Sequence, residues 1–213
     1  MGLIARSLEI LYRGGPVMIP LMLCSVVSVA VMLERFLALR RAGGDTEPLM
    51  SGLKSRLMAG DLDGAIGLCE NTGGPIASVL ASGLRHCDVP ERELERRMEE
   101  AALSEIPGLQ RRLSWLDTII TVAPLLGLLG TVTGMISAFQ VIGRSGASQP
   151  TAITGGVAEA LIATATGLTI AIVTLVGYNY LSDRVKTITA EMELRATQLL
   201  NLLSALRETS PRG

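Results

Sequence analysis

The sequence predicts an all-α integral membrane protein with three membrane-crossing helices, and three observations predict it. Of the 19 basic and 20 acidic residues, the stretches Pro16–Leu33, Ile119–Ile142 and Gly155–Leu181 contain only one, Glu159. Each stretch is long enough to span a hydrocarbon core of about 30 Å. Hydrophobic residues make up 48% of the 213, aromatics only 3%, and the mean hydropathy is +0.43. This balance excludes a soluble globular enzyme, a disulfide scaffold, a disordered chain and a basic nucleic-acid binder. The net charge of −1 conceals the segregation of charge that carries the signal.

Residues 1–15 read as a short tail, with Arg6 and Arg13 ahead of the first apolar stretch. Helix one is expected over 16–36. No small-residue cleavage site follows it. Glu34-Arg35 and Arg40-Arg41 instead form a stop-transfer flank, so the helix is retained. A polar segment over 37–116 follows. Helix two spans 117–142, a loop 143–155, helix three 156–181 and a polar tail 182–213. Lys and Arg accumulate on the cytoplasmic side of membrane proteins. Arg35, Arg40, Arg41, Arg111 and Arg112 border the 37–116 segment, Arg184 and Lys186 open the tail, and loop 143–155 holds only Arg144. The polar segment and the C-terminus are therefore expected in the cytoplasm, and the N-terminus and short loop outside.

The polar segment reads as helices. Thr46 is placed to cap one, with Pro48 in its first turn; Leu49, Leu53 and Leu57 share a face before Gly60. Asp61 caps a second helix, and Gly73-Gly74-Pro75 starts a third. Asp88 through Glu91 reads as a capping box for a longer helix. Its apolar stripe, Leu94, Met98, Leu109, Leu113, Leu116 and Ile120, runs into helix two. One continuous helix is expected there, with Pro107-Gly108 as a kink. The tail after 181 reads as helix three extended. Cys24, Cys69 and Cys87 form no CxxC pair, and His86 has no neighbouring ligands. No phosphate loop, metal cluster or nucleophile–base set is present, so neither a cofactor, a metal nor an enzymatic activity is expected.

Helices two and three carry the functional signal. Small residues recur at spacing four in Ala123–Gly127, Gly130–Gly134 and Ala163–Gly167–Ala171. In lipid such residues let helix backbones approach and pack by dispersion. They serve contacts within one chain or between subunits, and contacts between subunits are the simpler account. Pro124 and Thr131, seven apart, share a face to within about 20°. Thr131 and Thr164 fall near mid-depth if the helices are antiparallel. They form a polar girdle in an apolar lumen, or each bonds a carbonyl of its own helix. Glu159 is the one acid inside a span, and an intramembrane carboxylate is a functional-site candidate. It lies about 140° around the helix from Thr164, and both a structural and an ion-handling role remain open. One acid near the end of a span is a poor sole carrier, so a partner chain is expected to supply another.

At these residues the chain resembles the MotA/TolQ/ExbB proton channel family, ExbB/TolQ branch. The resemblance rests on Ala123 through Ile136 in helix two and on Glu159 through Leu168 in helix three. Ala171-Ile172, Tyr178-Asn179, Glu34-Arg35 and Gly60-Asp61-Leu62 add to it. It implies a homopentamer whose second and third helices line a central pore in the bacterial inner membrane. Two copies of an ExbD/TolR-like single-span partner would sit in that pore, and the partner's membrane Asp would carry protons. Thr131 and Thr164 would be the pore threonines, with Glu159 and Pro124 the characteristic acid and proline. The work would be done on an envelope process through a TonB- or TolA-like protein. A passive membrane scaffold is the alternative, and an autonomous transporter is disfavoured by the lack of an inverted repeat.

Overall fold

The computed structural model describes residues 14–145 and 150–209, and within them the chain is helical. The helices are α1 (Met18–Ala42), α2 (Glu47–Met58), α3 (Leu62–Thr72), α4 (Gly74–Arg85), α5 (Glu91–Gln110), α6 (Leu113–Ser145) and α7 (Pro150–Thr209). Three, namely α1, α6 and α7, are long and apolar enough to cross a membrane. Each outruns its apolar stretch, because the residues that follow, such as Arg40 and Arg41 or the Glu- and Leu-rich end of α7, are themselves good helix formers. Arg6, Arg13 and loop positions 146–149 lie outside the described residues, as does the side chain of Arg144.

The contacts divide the chain into two units. The apolar unit takes α1 through Glu34, the α6 region from Arg112, and α7 through Tyr180. Its centre is built from Val17, Met18, Leu21, Ile119, Ala123 and Ala171. Around this centre many large apolar side chains point outward: Ile19, Leu128, Phe139 and Val176 are each more than half exposed. Such continuous apolar surface suits lipid or further subunits.

The polar unit takes residues 35–111 and α7 from Leu181. Helices α2 to α5 pack each on the next. Leu53, Leu80 and Leu84 from the short helices, with Leu94 of α5 and Leu199 of α7, are fully buried. Local chemistry sets the turns. Gly60 has φ +75°, which favours glycine, and ends α2. Asp61 Oδ1 accepts the Gly64 N–H at 2.9 Å and caps α3. Gly73 and Gly74, both at positive φ, separate α3 from α4.

Three expectations need correction. First, α5 and α6 are not one helix. Helix α5 runs through Pro107 and Gly108 and ends at Gln110, and the break falls at Arg111 (φ −49°, ψ 134°) and Arg112 (φ 65°). Long-range partners hold that break. The buried Arg35 guanidinium donates to the carbonyls of Gly108 at 3.2 Å and Leu109 at 2.7 Å, meeting orphan groups of the last turn. Arg112 pairs with Glu34 at 3.2 Å. Second, the Thr46 hydroxyl does not cap α2. It bonds the Glu191 carboxylate and accepts from Arg195 Nε at 2.8 Å. Third, the cap of α5 is Pro90 rather than Asp88, with no side-chain bond. Arg207 holds that turn through the carbonyls of Cys87 and of Val89, the latter at 2.7 Å.

Candidate functional site

Helices α6 and α7 meet along their small residues. A side-chain carbon added at Gly127 would lie 3.0 Å from Thr164 Cα and 3.1 Å from the Ala163 carbonyl. One at Gly130 would strike the Ala163 methyl, and one at Gly134 would lie 2.9 Å from the Gly156 carbonyl and 3.2 Å from the Ala160 methyl. One at Gly167 would meet the Ala123 backbone and come within 3.2 Å of Gly127 Cα. The atoms met are mostly backbone, so the two helices touch main chain to main chain, the approach that small residues permit in lipid. These glycines and alanines therefore serve an interface inside the chain. Ala171 joins the centre with Val17, Met18 and Leu21 of α1.

Thr164 stands at this interface, half-buried, and its hydroxyl donates to the Gly127 carbonyl of α6 at 3.0 Å. Thr131 is also half-buried, but its hydroxyl donates to the Leu128 carbonyl of its own helix at 2.6 Å. Thr164 stands opposite Gly127, and Thr131 lies about one turn further along α6, beside Gly130, which faces Ala163. Of the two bonding patterns anticipated, Thr131 adopts the local one and Thr164 a cross-helix one. Pro124 is half-buried next to Ala123, whose carbonyl abuts Gly167. Its ring nitrogen leaves the Ile120 carbonyl without the usual helical donor. Among the threonines of α6 and α7, Thr174 is fully buried and bonds the Ile170 carbonyl at 2.7 Å.

Glu159 is on another side of α7 from Thr164. It is half-buried and lies against Gly15, in the turn that leads into α1. That turn was missed when residues 1–15 were read as a tail. Its signal was Gly14-Gly15-Pro16 immediately before an apolar run. The arrangement thus offers a close-packed helix pair carrying a hydroxyl on each helix about one turn apart, with Glu159 held against the turn before α1.

The comparisons with known proteins fit this geometry. Residues 71–194 match the model of the MotA/TolQ/ExbB proton channel family. The chain is 34% identical over 169 residues to an ExbB-like biopolymer transport protein of Synechocystis, covering 78% of this chain and 80% of that one. It is 27% identical over 212 residues to the biopolymer transport protein ExbB of Neisseria meningitidis, covering 91% and 95%. A segment of 106 residues is 44% identical to the Tol-Pal system protein TolQ of Haemophilus influenzae, covering 47% and 46%. The chain is thus a multi-pass membrane protein that belongs to the MotA/TolQ/ExbB proton channel family, in its ExbB/TolQ branch.

Proposed function

We propose that the chain is the channel subunit of an inner-membrane motor that turns proton-motive force into mechanical work on the cell envelope. Five copies surround a pore lined by α6 and α7. Two copies of an ExbD/TolR-like single-span partner occupy that pore, and the partner's membrane Asp meets Thr131 and Thr164 as it gains and loses a proton. The polar unit stands in the cytoplasm, where the Lys and Arg flanking the spans favour it, and the N-terminus faces the periplasm. Each proton crossing 100 mV releases about 2.3 kcal/mol, so a few together can drive a motion against protein contacts. The work reaches a TonB- or TolA-like protein, in nutrient uptake or in maintenance of the envelope.

One observation carries the reading. The close contact of Gly127 on Thr164 and Gly130 on Ala163 carries one hydroxyl on each helix, about one turn apart, while Glu159 is turned towards Gly15. A hydroxyl donates or accepts and so can serve a carboxylate in either protonation state. With Glu159 turned towards Gly15, the carboxylate that meets these hydroxyls is the one a partner would bring.

The test uses the subunit co-purified with its partner and placed in liposomes. Replacing Thr131 and Thr164 together by Val should leave the solubilised complex at a mass of about five 22.5-kDa chains plus partner. Proton flux should fall at least tenfold. Unchanged flux would assign a passive scaffold, and a mass that excludes five chains would remove the pore.

A further inference from the structure

Gly14, Gly15 and Pro16 form a tight turn closed by the Met18 N–H on the Gly15 carbonyl at 3.1 Å and the Ile19 N–H on the Pro16 carbonyl at 3.3 Å. The turn lies on one face of α7. A side-chain carbon at Gly14 would lie 3.3 Å from Ile162 Cγ2, and one at Gly15 would fall within the Glu159 carboxyl group, 2.8 Å from Cδ and 3.2 Å from Cγ. Positions 159 and 162 are three apart and share a helix face, whereas Thr164 lies about 140° away from Glu159. The turn cannot simply drift, because the next residues, Val17, Met18 and Leu21, are locked in the centre of the apolar unit with Ile119, Ala123 and Ala171.

Gly15 therefore meets two demands. Its φ of +73° favours glycine, and its missing side chain is the space in which the Glu159 carboxyl group sits. A carboxylate inside a span is costly unless it is placed and solvated by design. Here the placement comes from the turn that leads into α1.

We propose that Gly15 is the positioning residue of Glu159. The Gly14-Gly15-Pro16 turn is the seat of Glu159, the one charged residue of the three apolar stretches, and through it the start of α1 acts on the ion path. The inference rests on the proton-channel reading for its functional half and on geometry alone for the seat.

Gly15→Ala, Gly15→Asn and Glu159→Asp, alone and combined, are compared in the subunit–partner complex in liposomes. Asn tolerates positive φ and so reports steric displacement with little backbone strain. Gly15→Ala and Gly15→Asn should each lower proton flux about tenfold or more. In the Glu159→Asp background, whose side chain is one methylene shorter, Gly15→Ala should cost less than threefold. An equal loss from Gly15→Ala in the Glu159 and Glu159→Asp backgrounds would overturn the proposal, as would wild-type flux in Gly15→Asn.

The seat is also tested without any flux. With Cys24, Cys69 and Cys87 replaced by Ser, the pair Gly15→Cys and Glu159→Cys should form an intrachain disulfide on mild oxidation of membranes. Failure to form it, when the chain is present and folded, would overturn the seat. Should the wild-type complex carry no protons, the channel reading fails and the disulfide still decides the seat.

Discussion

The apolar and polar units differ in what makes their tightest contacts, although the apolar unit too buries large side chains such as Leu21 and Leu116. In the apolar unit the tightest contacts belong to Gly127, Gly130, Gly134, Ala163 and Gly167, while Leu125, Leu128 and Phe139 face outward. In the polar unit Leu53, Leu80, Leu84 and Met98 are inside, and charged residues such as Glu95 and Arg96 are outside. The difference follows from solvent. In water, burying large apolar area stabilises a fold by about 25 cal/mol per Å². In lipid that gain vanishes, since Leu is as well off outside as in, and only close backbone contact distinguishes one helix pairing from another. One chain thus follows both rules, so the same substitution should have opposite consequences in its two halves.

The largest expected effect comes from trimming leucines. Leu80 is fully buried in the polar unit, and Leu80→Ala should destabilise it by about 2–5 kcal/mol through lost burial and an unfilled cavity. Leu128 is 58% exposed, and Leu128→Ala should change the stability of the isolated chain by less than about 0.5 kcal/mol. Denaturation followed by loss of helical signal in detergent would compare the two. Equal costs would mean that the apolar unit is held by side-chain burial after all.

Glycines should show the reverse ordering. At Gly167 an added methyl meets the main chain of Ala123 and Gly127, which cannot yield without separating α6 from α7. Gly167→Ala should therefore cost about 1–3 kcal/mol, as overpacking does elsewhere. At Gly108 in α5 an added methyl meets nothing within 4 Å, and Gly108→Ala should stabilise by about 0.5–1 kcal/mol through helix propensity. The same denaturation experiment reads both signs. A neutral Gly167→Ala would indicate that the helix pair relaxes freely and that close approach does not define it.

The two halves also differ in how far the sequence discloses them. The spans are legible because lipid excludes charge, so a chargeless run announces itself without knowledge of any partner. The short helices α2 to α4 are legible because Gly60, Asp61 and Gly73-Gly74-Pro75 act on their nearest neighbours in the chain. What escaped depends on distant residues. The break at Arg111-Arg112 is held by Arg35 and Glu34, more than seventy positions earlier. Thr46 turns from capping α2 to bonding Glu191 and Arg195 on α7, 145 and 149 positions later. Part of the candidate site was legible for a related reason. Spacing set Thr131 and Thr164 well inside the apolar runs, but no local pattern told that Thr164 would bond Gly127, about one turn from Thr131, or that the turn before α1 would receive Glu159.

The smallest effect sharpens the contrast at a single thiol. Cys69 of α3 is 1% exposed in the polar unit, among groups that water would otherwise reach. Burial, reinforced by the Glu70 carboxylate and opposed by Arg85, raises its pKa from 9.0 to about 11. The folded state therefore holds the proton more tightly than the unfolded state does. The stability this contributes is complete below pH 9 and is lost as pH rises from 9 towards 11. By linkage the loss is on the order of 1 kcal/mol at pH 10. Unfolding followed by helical signal in detergent should thus show stability declining above pH 9 in the wild type. In Cys69→Ala, which has no thiol to titrate there, that part of the decline should disappear, so its deficit against the wild type should shrink above pH 9. An alkaline limb of the same steepness in both proteins would place the titrating group elsewhere. The polar unit would then tolerate a buried thiolate, and its interior would be wetter than its leucines imply.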